Sequence, residues 1–115
     1  MDEIKKLTKK IKKFRDERNW MQFHNHKDMA LSLVLEAAEV LEHFQWKKPT
    51  EVKAHAKSKQ SEIADELADV ACYLFELADN LKIDLPKAIE VKLAKNALKY
   101  PVGKAKGKHT KYSSL

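Results

Sequence analysis

The chain has 115 residues, 43% of them hydrophobic and 35% charged, with a formal net charge of +6. That balance describes one folded domain with a modest core rather than a disordered chain. No apolar run approaches the roughly 20 residues that cross a bilayer, so no membrane partner is expected. The lysine-rich N-terminus has no apolar stretch of the kind a secretory signal needs. The one cysteine, Cys72, excludes an internal disulfide framework and a multi-cysteine zinc site. A reducing cytoplasm is the expected compartment.

The charge is uneven. Residues 101–115 hold Lys104, Lys106, Lys108 and Lys111 and no acid, leaving about +2 on the rest. Lysines outnumber arginines 21 to 2, and the arginine forks that read duplex base edges are almost missing. This argues against nucleic acid as the main partner. Both glycines, Gly103 and Gly107, also lie in this segment. A division follows: a domain over 1–101 and a basic, flexible tail over 102–115.

Without glycine in the first 100 residues, long helices fit better than a turn-rich β fold. Ile4, Leu7, Ile11 and Phe14 recur every three or four residues, which predicts an amphipathic helix over 3–18. Residues 19–25 break that period and read as a connector. Asn25 can cap a second helix, from about His26 to Phe44.

The second helix is apolar on two sides. Leu31, Val34, Ala38 and Leu41 form one stripe; Leu33, Ala37, Val40 and Phe44 form another. In so short a chain this implies contact with another subunit. Residues 45–59 are polar, contain Pro49 and show no firm period, so they read as a flexible connection with at most a helical turn. A third helix is predicted over about 60–81, with Ile63, Leu67, Val70, Ala71, Leu74, Leu77 and Ala78 as its core stripe. Asp84 before Pro86 signals a fourth, ending before Pro101. The fold class is all-α: a four-helix, bundle-like chain that assembles into an oligomeric helical bundle.

The carboxylates stand out from this pattern. Glu36 and Glu39 lie about 60° apart on one helix face, and Glu66 and Asp69 repeat the spacing on the next long helix. Each i,i+3 pair brings its Cβ atoms within about 5–6 Å. Apolar residues flank both pairs, and neither helix has an internal lysine or arginine between Asp28 and Trp46 or between Gln60 and Leu81. Local ion pairing is absent, so mutual repulsion calls for a cation. Oxygen-only ligation suits Mg²⁺, with Mn²⁺ as a substitute. The ordinary alternative is a pair of solvated helix faces. A di-iron bundle would want Glu-x-x-His on two helices, and neither acidic helix supplies it.

These residues resemble the MazG-like all-α nucleotide pyrophosphohydrolases, and most the dCTP pyrophosphatase branch. The resemblance rests on Glu36-Ala-Ala-Glu39 followed by Glu66-Leu-Ala-Asp69. Around them stand Arg15-Asp-Glu-Arg-Asn-Trp-Met-Gln-Phe-His24, Phe44-Gln-Trp-Lys47, Asp84-Leu-Pro86 and Lys92-x-x-x-Asn96-x-x-x-Tyr100-Pro101. It covers about residues 3–101. What it implies is cleavage of a nucleoside triphosphate, dCTP or a related form first, to the monophosphate and pyrophosphate, as nucleotide-pool house-cleaning. Glu36, Glu39, Glu66 and Asp69 would be the catalytic, Mg²⁺-binding set. Trp20, His24, Trp46 and Tyr73 would hold the base. Lys92, Asn96 and Tyr100, joined by Lys47, would hold the triphosphate. Family members assemble as dimers or tetramers, so a homo-oligomer is implied.

Each pocket residue also has a plainer reading. Trp20 and Trp46 would serve as core aromatics at the ends of the acidic helix, and His24 as a connector residue. His26, His43, His55 and His109 read as surface or structural, and Cys72 as a small core residue facing away from the acids. The rival for the whole chain is a non-catalytic helical interaction module whose basic tail contacts nucleic acid.

Overall fold

Side-chain caps set where the helices begin. In the computed structural model, which describes residues 2–114, Asp2 accepts the backbone N–H of Lys5 at 2.8 Å and opens α1, Glu3–Glu17. Asn25 does the same for Asp28 at 2.9 Å and opens α2, His26–Glu42. Asp84 accepts from Lys87 at 3.2 Å and opens α5, Leu85–Lys99. These are the orphan amides that capping oxygens satisfy. A 3₁₀ turn, Met21–Phe23, bridges α1 and α2. All described elements are helical.

The connection predicted over 45–59 is instead largely a ten-residue helix, α3, Pro49–Ser58. Pro49 suits a helix start because its missing N–H is one that would be unpaired there. Val52, His55 and Ala56 form the half-buried side of α3, a stripe too short to read as a period. The helix α4, Gln60–Asn80, follows after Lys59. The basic segment also contains a short helix, α6, Val102–Ala105, and a 3₁₀ turn, Tyr112–Ser114.

The chain divides into two compact units, residues 1–82 and 83–115. In the first, α4 is the hub. It packs most extensively on α2, and also on α1 and α3. The pairs His43–Glu66 and His24–Glu76 descend along one segment while ascending α4, so α2 and α4 run antiparallel. Met29 is 1% exposed, and Ala78 is also buried.

The two stripes of α2 behave differently. Leu33, Val40 and Phe44 are half-buried, whereas Leu31, Val34 and Leu41 are exposed, Val34 at 64%. Leu67 and Leu74 of α4, expected in the core, are exposed as well. A single chain therefore covers only one of the two apolar sides. In the second unit, α5 carries exposed Ile89 and Leu93. Tyr100 meets Tyr112 edge-on at 6.1 Å, and the Lys99 ammonium sits over the Tyr112 ring at 4.8 Å.

Among the described residues no helix is long and apolar enough to cross a membrane.

Candidate active site

The antiparallel pairing of α2 and α4 brings the two acidic pairs into one neighbourhood. The Glu36 carboxyl is raised above its ordinary range, first by burial, then by its hydrogen bond with Glu39 and by the charges of Glu39, Asp69 and Glu66. Glu36 and Glu66 are half-buried; Glu39 and Asp69 are exposed. Two oxygens, Glu36 Oε2 and Glu66 Oε2, are buried without a hydrogen-bond partner. Such atoms are costly unless something answers them. Oxygen-only donors, with the buried Glu36 Oε2 unanswered, fit a hard divalent cation. Among the described residues no three His, Cys, Asp or Glu side chains are grouped so as to hold a metal ion; the quartet is a set of acids close enough for Glu39, Asp69 and Glu66 to act on Glu36 by charge.

Histidines border this cluster. His43 Nε2 stands 2.5 Å from Glu66 Oε2. Its Nδ1 lies 2.9 Å from His55 Nε2. His55 is held below its ordinary range by burial, then by Lys47 and His43. These two histidines, read from sequence as surface or structural, are partly covered; His43 contacts Glu66, and His55 contacts His43. The clue for His43 was its position one turn after Glu39; for His55 there was none without α3. Glu39, Glu42, His43, Lys47, His55 and Glu66 line a hollow of about 230 Å³.

A second hollow, of about 510 Å³, opens beside the acids, and its lining includes Trp20, His24, Asp69, Cys72 and Tyr73. Three of the expected base-pocket residues thus meet, and Asp69 links them to the acid cluster. Burial pushes the Tyr73 hydroxyl up, with Glu36, Asp69 and Glu76 adding to it and a hydrogen bond with Ser32 opposing. Burial, and then Asp69, also raises the Cys72 thiol. Cys72 is exposed on the hollow rather than tucked into the core. Trp46, 88% exposed, lines neither hollow and covers no helix end as a core residue would. Lys92, Asn96 and Tyr100 lie in or at the end of α5 in the second unit, with Asn96 half-buried.

Behind His24 stands a residue the sequence reading missed. Glu76 is 3% exposed and holds His24 Nδ1 at 2.8 Å, Asn80 Nδ2 at 3.0 Å and Arg15 Nη1 at 3.4 Å. Arg15 is itself buried and donates from Nε to Asp16 at 2.8 Å. That bond first, and Glu76 after it, raises the guanidinium against the opposing effect of burial. The same bond lowers Asp16. Glu76 falls one turn after Tyr73 on the acid face of α4, which was the available signal.

The chain is similar to known proteins in sequence and fold. A sequence model of the MazG-like family matches residues 31–115. The chain is 39% identical over 104 residues to dCTP pyrophosphatase 1 of Mus musculus, spanning 89% of this chain and 61% of that protein. The Homo sapiens dCTP pyrophosphatase 1 matches at 38% over the same shares. The chain therefore spans about three fifths of the length of these curated relatives. A pyrophosphatase from Archaeoglobus fulgidus superposes with a TM-score of 0.83 at 35% identity, covering 88% of this chain and 94% of that one. The match of sequence and fold places the chain in the MazG-like family.

Proposed function

We propose that the chain is a nucleoside triphosphate pyrophosphohydrolase, acting on deoxynucleotides with dCTP or a related cytosine form first. The observation that carries this reading is the carboxylate cluster of α2 and α4, with the buried Glu36 Oε2 left without a hydrogen-bond partner, opening beside an aromatic hollow. The names of the relatives, dCTP pyrophosphatase and pyrophosphatase, support it.

In this reading Glu36, Glu39, Glu66 and Asp69 hold Mg²⁺, with Mn²⁺ as substitute. Bound there, the cation would offset triphosphate charge and polarise the phosphoryl oxygens. Glu36, Glu39 and Glu66 are the candidates for general base toward the attacking water. Trp20 and Tyr73 offer ring faces to a base, a contact that tolerates any base and leaves selectivity to polar neighbours. Lys47, beside Glu39 and Glu66 in the smaller hollow, offers a cation to the phosphates. Lys92, Asn96 and Tyr100 fall at i, i+4 and i+8, one stripe that can follow an extended anion.

The chain works as a homo-oligomer, a dimer or tetramer. Leu31, Val34, Leu35, Leu41 and Leu67 are each more than half exposed. Covering such a side chain contributes about 1 kcal/mol or more, and Trp46 would find its cover in the same way. The activity would clear unwanted nucleotides from the pool.

The test is pyrophosphate release from a panel of triphosphates, with Mg²⁺ and with chelator, on protein whose mass in solution is measured by light scattering. Mg²⁺-dependent release that Glu39→Gln or Asp69→Asn abolishes, with helicity kept, is the expected outcome. Full activity in either variant removes the ligand assignment. Salt-sensitive DNA binding without hydrolysis would favour the interaction-module reading instead.

A further inference from the structure

Glu76 belongs to no acidic pair, yet it is more deeply buried than any member of the quartet. A buried carboxylate held by a buried arginine is a weak device for stability, since desolvation offsets much of the attraction. Its partners suggest another use. Arg15 and Asn80 both approach Oε2, so the carboxyl accepts on that side. His24 turns Nδ1 toward both oxygens, at 3.0 and 2.8 Å. An accepting carboxylate requires the proton to sit on Nδ1.

The consequence lies at the other edge of the ring. His24 is 18% exposed by side chain and lines the 510 Å³ hollow with Trp20 and Tyr73. With Nδ1 committed to Glu76, Nε2 is the nitrogen left for the hollow. In the neutral ring with the proton on Nδ1, Nε2 is an acceptor only. An acceptor complements the exocyclic amine of a base and opposes the lone pairs of a keto oxygen. Stacking on Trp20 or Tyr73, by contrast, would tolerate any base.

We propose that Glu76 is a positioning residue: it fixes His24 as a hydrogen-bond acceptor toward the hollow and thereby selects nucleotides whose base carries an exocyclic amine over their keto counterparts. The inference rests on the hollow being the base site of the proposed function. Arg15 and Asn80 keep Glu76 oriented, because an unheld carboxylate could turn and release the ring. Without Glu76 the imidazole can place its proton on Nε2, become a donor, and accept a keto base. Lys10, Asp69, Cys72 and the Tyr73 hydroxyl also line the hollow, but the Nδ1 edge of His24 is hydrogen-bonded to Glu76.

The experiment compares cytosine with uracil nucleotides, which differ at that amine. Binding of dCMP and dUMP is measured by calorimetry, and kcat and KM for dCTP and dUTP in parallel, on wild type, Glu76→Leu, Glu76→Gln and His24→Phe. The ¹⁵N shifts of His24 are read in the wild type. A proton on Nδ1 alone is expected, with dCMP preferred. Glu76→Leu should shrink the preference at least about tenfold, through KM rather than kcat, whereas Glu76→Gln keeps it because its amide oxygen still accepts Nδ1–H. His24→Phe should abolish the preference. A wild-type ring protonated on Nε2, or a preference unchanged in Glu76→Leu, overturns the proposal. If Glu76→Leu does not fold, a preference retained in His24→Phe overturns it, and its loss there upholds it together with the ¹⁵N result. Should no triphosphate be cleaved while a His24-dependent dCMP preference persists, the hydrolase reading falls and the positioning role stands.

Discussion

Replacing Arg15 with methionine should be among the most damaging single changes in the first unit. The side chains of Arg15 and Glu76 are 8% and 3% exposed and meet at 3.4 Å. Methionine keeps much of the aliphatic stem, so the loss is chiefly of charge. Stripping one partner from a buried pair costs about 3–5 kcal/mol. His24 and Asn80 still donate to Glu76, and hydrogen bonds to a charged group keep about 1.5–3 kcal/mol each, so the lower end, about 3 kcal/mol, is the expectation. The exposed Asp16 bond adds little, as surface pairs are worth about 0–1 kcal/mol. For a chain of this size the fall in Tm is about 10–15 °C. Arg15→Met with Glu76→Leu removes both charges and should recover most of the loss, giving a coupling of about 2 kcal/mol or more. Urea unfolding followed by far-UV circular dichroism measures all four proteins at one fixed concentration, because association would shift the midpoints. A single variant costing under about 1 kcal/mol, or a double variant no more stable than the worse single, would refute the buried-pair argument.

Two further outcomes test the site. The Glu36 carboxyl, raised by burial and its acidic neighbours, binds its proton more tightly in the fold than in the unfolded chain, whose reference value is 4.5. Its contribution to metal-free stability is complete below that value and is lost as pH rises through the higher native one. Urea midpoints in chelator should therefore fall more steeply with rising pH in wild type than in Glu36→Gln; parallel curves would contradict the shared acidic neighbourhood. The Cys72 thiol, raised above 9.0 by burial and then by Asp69, should alkylate slowly at neutral pH and faster as pH climbs past that value. Because it lines the larger hollow, a bound nucleotide should protect it, and mass-spectrometric labelling unaffected by saturating dCMP would separate the hollow from the nucleotide site.

Much of this molecule is written locally in the chain. Capping residues at Asn25 and Asp84, and three- and four-residue spacing, place the long helices within a residue or two because each signal acts through its own turn. The i,i+3 acids are legible for the same reason. The double stripe on α2 announces that one side will lack cover within a single chain, and Leu31, Val34 and Leu41 are the uncovered side.

What the sequence leaves open depends on which helix faces meet. α3 escaped because its half-buried side is only Val52, His55 and Ala56, too few for a period to emerge. The covering of His43 and His55 follows from α3 packing on α4. Glu76 reads locally as one more acid on an acidic helix. Only the docking of α1 and the 3₁₀ turn against α4 gives it Arg15 and His24, residues 61 and 52 positions away in the chain. Helical period can say that a side chain shares a face, but its protonation and hydrogen bonds are set by whatever distant segment closes over it.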